Sequence, residues 1–176
     1  MPDIACLKYT DCATCPHSQT QVFKYRSFPK GIVVPKSKCS QNTIYFIVSG
    51  SVQVKSEEHP NSIVHDGQFI LQPIGSSVEF KVLENLECIL YLFEKPLSLC
   101  SDRFNKGSEL AKDMQITPTI MQMCFPLRLY INGIKMYLND SLICAEFLNA
   151  KRTELYYLLN CYYPLKDMAA FYAPIY

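Results

Sequence analysis

GIVVPKSKCSQNTIYFIVSGSVQVKSEEHPNSIVHDGQFILQPIG, the run from Gly31 to Gly75, decides the fold of this 176-residue chain. Its β-branched and aromatic segments GIVV, TIYFIV, SVQVKS, SIVH and QFILQP are short. Between them fall the turn signals Ser49-Gly50-Ser51, Pro60-Asn61, Asp66-Gly67 and Gly75-Ser76. The same texture extends outward to QVFKYRS, ahead of Pro29-Lys30-Gly31, and to VEFKV and ECILYLF beyond Ser76. Many short strands at regular spacing predict a β-sandwich or barrel over residues 21–96, after an N-terminal extension of residues 1–20.

Beyond Lys95-Pro96 the alternation stops. Residues 97–125 read as a polar linker with room for one short helix. From there to the end, residues 126–176, the period becomes helical. Leu127, Tyr130, Ile131, Ile134 and Leu138 recur at the spacing of one helix face, with Pro126 suited to the first turn. A second helix is expected from about Cys144 to Tyr163, with Phe147, Leu148, Leu155, Leu158, Leu159 and Tyr162 on or near one stripe, ended by Pro164. A short third segment runs from Lys166 to Tyr172.

The composition removes several function classes. Hydrophobic residues are 49% and charged residues 19%, so the chain carries enough apolar surface for one substantial core. A net charge of +1, with scattered Lys and Arg, gives no electrostatic footprint for nucleic acid. No apolar run is long enough to span a membrane, and Asp3, Lys8 and Asp11 interrupt the start where a signal peptide needs an apolar stretch. Nine dispersed cysteines do not resemble a small secreted disulfide scaffold. Reduced thiols and a cytoplasmic location are the expectation.

The glycine and proline spacing matches the two motifs of the cupin superfamily. Gly31 and Gly50 hold the glycines of the first motif, G-x5-H-x-H-x3,4-E-x6-G. Its three metal-ligand positions are occupied by Ser37, Cys39 and Thr43. Gly67, Pro73 and Gly75 hold the turn positions of the second motif, G-x5-P-x-G-x2-H-x3-N, with Val78 at the histidine and Val82 at the asparagine. The chain thus resembles a cupin whose turns remain and whose ligands are gone. The implied fold is mainly β: a cupin-like antiparallel β-barrel, that is, a double-stranded β-helix or jelly roll, followed by two to three C-terminal α-helices. Divalent metals in such barrels want imidazole and carboxylate donors, which this set lacks, so no cofactor is expected.

Strand alternation carries the ligand positions to their neighbours. Ser37, Cys39, Thr43, Tyr45, Ile47, Val78, Phe80 and Val82 are expected to face the lumen, as a mostly apolar pocket or simply as core. Arg and Lys are scarce in that set, which argues against a strongly anionic ligand.

The helical tail, from Lys151-Arg152-Thr153-Glu154-Leu155 through Tyr162-Tyr163-Pro164 to Phe171-Tyr172-Ala173-Pro174, resembles the segment after the sensor barrel in a branch of AraC-type transcription regulators. That resemblance implies a non-catalytic module that binds a small-molecule effector and forms a homodimer. The implied dimer surface is Leu127, Tyr130, Ile131, Ile134, Leu138, Leu155, Leu158, Leu159 and Tyr162, with packing on the barrel as the competing destination. DNA would be touched only through a C-terminal helix-turn-helix part not present here, and no membrane is involved.

Other readings carry less. Cys6, Cys12, Cys15 and His17 have the residue types of a zinc site but a cramped spacing without a second C-x2-C pair. A Cys39 nucleophile with His65 as base needs both in one pocket, and His59 and His65 read as surface residues outside the ligand positions. A divergent metal-dependent cupin enzyme acting on a small metabolite is the catalytic alternative. A cyclic-nucleotide-binding domain needs an arginine for the cyclic phosphate, and after Arg26 the next arginine is Arg103, beyond the barrel.

Overall fold

A computed structural model describes residues 22–56, 59–95, 100–112, 119–140 and 145–176. Eight strands follow one another in the first part: β1 Phe23–Phe28, β2 Val33–Lys38, β3 Asn42–Ser49, β4 Ser51–Lys55, β5 Ser62–His65, β6 Gln68–Gln72, β7 Ser77–Val82 and β8 Leu86–Phe93. The rest contains α1 Ser101–Lys112, β9 Met121–Gln122, α2 Phe125–Asn139, α3 Ala145–Tyr162, α4 Leu165–Tyr172 and a short 3-10 turn, Ala173–Ile175.

All the pairings are antiparallel. The first sheet has the order β1-β8-β3-β6-β9 and the second β2-β7-β4-β5. Apart from the added β9, this is the two-layer order of an eight-stranded jelly roll, the fold that cupins share. Among the described residues the two sheets remain separate ladders, so the barrel is not closed by hydrogen bonds as the sequence reading expects. Among the described residues four α-helices follow β8: α2, α3 and α4 form the arm where two to three were expected, and α1 lies in the segment read as a linker with room for one short helix.

Gly31, Gly50, Gly67 and Gly75, the four glycines of the sequence motifs, all have positive φ. At Gly50 the demand is double, because φ is +82° and a Cβ would run into the backbone carbonyl of Asn85. The β3–β4 corner therefore admits only glycine without moving backbone.

The sheets bury their faces differently, and the strands show why. β3, β6 and β8 (NTIYFIVS, QFILQ and LECILYLF) are apolar almost throughout and are covered on both faces. β2 (VVPKSK) is mostly exposed and lies at the edge of the second sheet. Pro35 and two lysines blunt it, and its ladder with β7 shifts register between Val34 and Ser37.

The helices cover the outer face of the first sheet. Ile44, Phe46, Phe69, Leu71, Ile89 and Tyr91 on the strands share one core with Leu127, Tyr130, Ile131 and Ile134 of α2, Leu148, Leu155 and Leu159 of α3, and Met168 and Phe171 of α4. Each fully buried apolar side chain of this size contributes about 1.5–3 kcal/mol. Most of the residues offered for the dimer surface lie in this intrachain core. Leu127, Tyr130, Ile131, Ile134, Leu155 and Leu159 are buried within this chain, Leu138 and Leu158 pack partly against the same core, and Tyr162 stands exposed. A single apolar stripe fixes that a helix face is buried, not what covers it, and the outer face of the first sheet takes most of this stripe.

The described residues of the expected linker hold α1 and β9. α1 places Gly107 against the Tyr176 hydroxyl, and its Phe104 ring meets that of Tyr176 edge-on at 5.4 Å. Arg103 donates from Nε to Asn160 Oδ1 at 2.8 Å and from Nη2 to the Tyr163 carbonyl at 3.1 Å. β9 extends the first sheet by pairing Met121 with Phe69 and Gln122 with Gln68.

Candidate functional site

The site is the space between the two sheets. Apolar side chains of both sheets close its inner part: Ile47, Ile70, Leu86 and Cys88 from the first, Val52, Val54, Val64, Val78 and Val82 from the second. They leave a cavity of about 280 Å³, near the lower end of the range for small-molecule sites.

All eight side chains that strand alternation aims inward line it: Ser37, Cys39, Thr43, Tyr45, Ile47, Val78, Phe80 and Val82. The register explains the gathering. β3 lies beside β8 with Thr43 opposite Leu92, Tyr45 opposite Leu90 and Ile47 opposite Cys88, so alternate residues of both strands share the inner face. On the second sheet, Ser37 lies opposite Val78.

The two motif segments are clipped together at this end of the barrel. The Cys39 amide donates to the Ser76 carbonyl and the Gly75 amide to the Cys39 carbonyl, both at 2.8 Å. Asn42 completes the frame, donating from Nδ2 to the Glu94 carbonyl at 2.7 Å and accepting the Ile74 amide on Oδ1 at 2.8 Å. Tyr45 and Phe80 meet across the sheets with ring centroids 5.0 Å apart.

Burial governs the ionisable groups. It pushes the Tyr45 phenol well above its ordinary value, with the neighbouring Cys39 and Cys88 thiols adding to the effect. It pushes the Cys88 thiol up to about 12, while the nearby Arg26 charge pulls weakly the other way. Both groups are neutral near pH 7, so neither serves as an anionic nucleophile or base.

Sequence reasoning missed several lining residues, among them Arg26, Phe28, Lys38, Gln41, Cys88 and Leu90. The signal for Arg26 was its parity on β1, where it lies opposite Cys88, but that inference needs the β1–β8 register. The other candidates do not assemble. His65 is exposed on β5 and does not line the cavity, so it is no base for Cys39. His59, expected at the surface, is buried, and its amide donates to the Ser56 hydroxyl at 3.0 Å. Cys6, Cys12, Cys15 and His17 lie outside the described residues.

The divalent ion of metal-bearing cupins does not fit this lumen. Ser37, Cys39, Thr43, Val78 and Val82 offer hydroxyls, a thiol and methyl groups in place of imidazole and carboxylate. Among the described residues no three His, Cys, Asp or Glu side chains come together as a metal site. No helix among them is long and apolar enough to cross a membrane.

On the opposite face of β1 and β8 lies a polar latch to the helices. Glu87 accepts from Lys135 Nζ of α2 at 2.6 Å, from the Tyr25 hydroxyl at 2.7 Å and from the Ser49 hydroxyl at 3.1 Å. Lys135 first, then Tyr25, holds the Glu87 carboxyl below its ordinary range. Tyr25 and Glu87 belong to this latch while the adjacent Arg26 and Cys88 line the cavity. The same two strands therefore touch both the lumen and the helical layer.

No family model matches the chain, and no curated protein does. Solved structures similar to it include a cupin-superfamily protein from Desulfitobacterium hafniense, 12% identical over 44% of this chain and 72% of that one, with a TM-score of 0.40. An RmlC-like cupin with a double-stranded β-helix from Methanocaldococcus jannaschii is 16% identical over 42% of this chain and 70% of that one, with a TM-score of 0.38. The DMSP lyase DddQ from Ruegeria pomeroyi is 18% identical over 44% of this chain and 42% of that one, with a TM-score of 0.37. These likenesses are partial, and the strand order within this chain is what defines its jelly-roll fold.

Proposed function

We propose that this chain is the effector-sensing module of an AraC-type regulator: its lumen takes a small molecule, its helices carry the dimer contact, and it has no reaction of its own. The observation that carries this reading is the open, largely apolar cavity of about 280 Å³, whose metal positions hold residues unsuited to metal. Binding there would act through β1 and β8. A ligand that favours one position of Arg26 and Cys88 biases the Tyr25–Glu87–Lys135 latch, and through it the seating of α2. DNA contact is assigned to a helix-turn-helix part not present in these residues.

This reading puts the dimer contact on the exposed helix faces. Phe125, Leu129 and Met136 of α2 are 71%, 58% and 64% exposed, and Tyr157 and Tyr162 of α3 are also exposed. Sedimentation of the wild type and of Leu129→Glu is expected to show a dimer that the variant dissociates. A wild-type monomer removes the dimer from the reading. For the sensing function, metal-stripped protein screened by thermal shift against small metabolites is expected to gain stability with a subset of them. A stoichiometric transition metal required for that gain would contradict it.

A further inference from the structure

The two ends of the lumen differ in chemistry, and the difference selects a ligand class. At the floor, Ile47, Val52, Ile70, Val78, Val82 and Leu86 are all buried. At the rim stand two cations: Arg26 on β1 and Lys38 on β2, the edge strands of the two sheets. Both are exposed while lining the same cavity, which puts them at its mouth. Among the described residues neither forms an ion pair. No Asp or Glu is among the described residues lining the cavity, and the ion pairs among the described residues are Lys135–Glu87 and Lys151–Glu154.

Arg26 spends one guanidinium nitrogen on the carbonyl of Tyr25 at 3.1 Å, which leaves the rest of its fork for a ligand. Arg26 lies opposite Cys88 in the β1–β8 ladder and lines the cavity with it, so strand alternation puts it on the lumen side. We infer that the lumen takes a small amphipathic monocarboxylate, with its hydrocarbon part on the apolar floor and its carboxylate between Arg26 and Lys38. An arginine fork suits a planar carboxylate bidentately, and a lysine beside it adds a point charge. The scarcity of basic residues in the sequence-derived lumen set argued the other way, because neither Arg26 nor Lys38 was in it.

This assignment rests on the lumen being a binding site, and the test separates the two. Calorimetry with octanoate and with octan-1-ol, which share a tail and differ in the head, is run on the wild type, Arg26→Gln, Lys38→Gln and the double variant. Octanoate is expected to bind the wild type about 10-fold or more tighter than octan-1-ol, as a charge-assisted contact allows. That advantage should disappear in the double variant while octan-1-ol affinity holds, which also shows that the variant is folded. Equal affinity of the two probes for the wild type, or unchanged octanoate affinity in the double variant, overturns the head-group assignment and leaves the lumen site standing. Binding of neither probe to the wild type overturns both.

Discussion

The first sheet has two apolar faces made by the same strands, and they are finished in opposite ways. On its outer face, Phe46 and Phe69 lie 5.3 Å apart, Phe69 meets Phe171 of α4 at 5.1 Å and Phe23 meets Tyr91 at 5.2 Å, so aromatic rings and helices fill the space. On its inner face the neighbouring positions are Thr43, Tyr45, Ile47, Cys88 and Leu90, set against small valines of the second sheet, and a cavity remains. Interiors are normally packed to crystal-like density. The filled face therefore supplies stability, and the open face is where packing is forgone and a cavity remains.

Four substitutions break or sharpen that contrast. Phe69→Ala, on the filled face, is expected to cost about 3–5 kcal/mol in urea unfolding, because it removes a ring shared by β6 and α4. Val78→Phe, on the open face, is expected to cost less than about 1.5 kcal/mol, since there is space to receive the ring. It should nevertheless abolish ligand binding by calorimetry. A large cost there and a small one at Phe69 would reverse the comparison.

Glu87→Gln tests the latch between the faces. With both partners of its ion pair partly exposed, the expected loss near pH 7 is about 0.5–1 kcal/mol. The Glu87 carboxyl is lowered in the fold, so its contribution is present above its ordinary range and is lost as pH falls through the lowered value. Wild type and Glu87→Gln should therefore differ in stability at neutral pH and converge in acid. The smallest effect belongs to Tyr162→Ser, within about 0.5 kcal/mol in the monomer, because this ring is 54% exposed on α3.

The strands were legible because their information is local. Turn glycines with positive φ and residues alternating between two faces can be read along the chain, and Gly31, Gly50, Gly67 and Gly75 mark the corners in the structure. Lumen facing followed from the same parity, which is why the eight inward residues lie around one cavity. What depended on partners was not legible. The docking of α1 is one case: SDRFNKGSELAK, read only as room for one short helix, has too few apolar residues to show a period, and it is held by Tyr176, Asn160 and Tyr163 from distant parts of the chain. β9 is a two-residue strand that exists only as an edge on β6. The destination of the α2 stripe and the charges at the lumen mouth required the register of β1 on β8 and the docking of helices on a sheet. Neither is a property of any one segment.

The most direct test of an open lumen behind a filled face is a methyl NMR titration of metal-stripped protein with octanoate. Methyl resonances of Ile47, Val52, Ile70, Val78, Val82 and Leu90 are expected to shift together, with those of Ile44, Ile131 and Ile134 moving far less. Shifts centred on the helix-covered side, or shifts that appear only after a divalent metal is restored, would contradict the account.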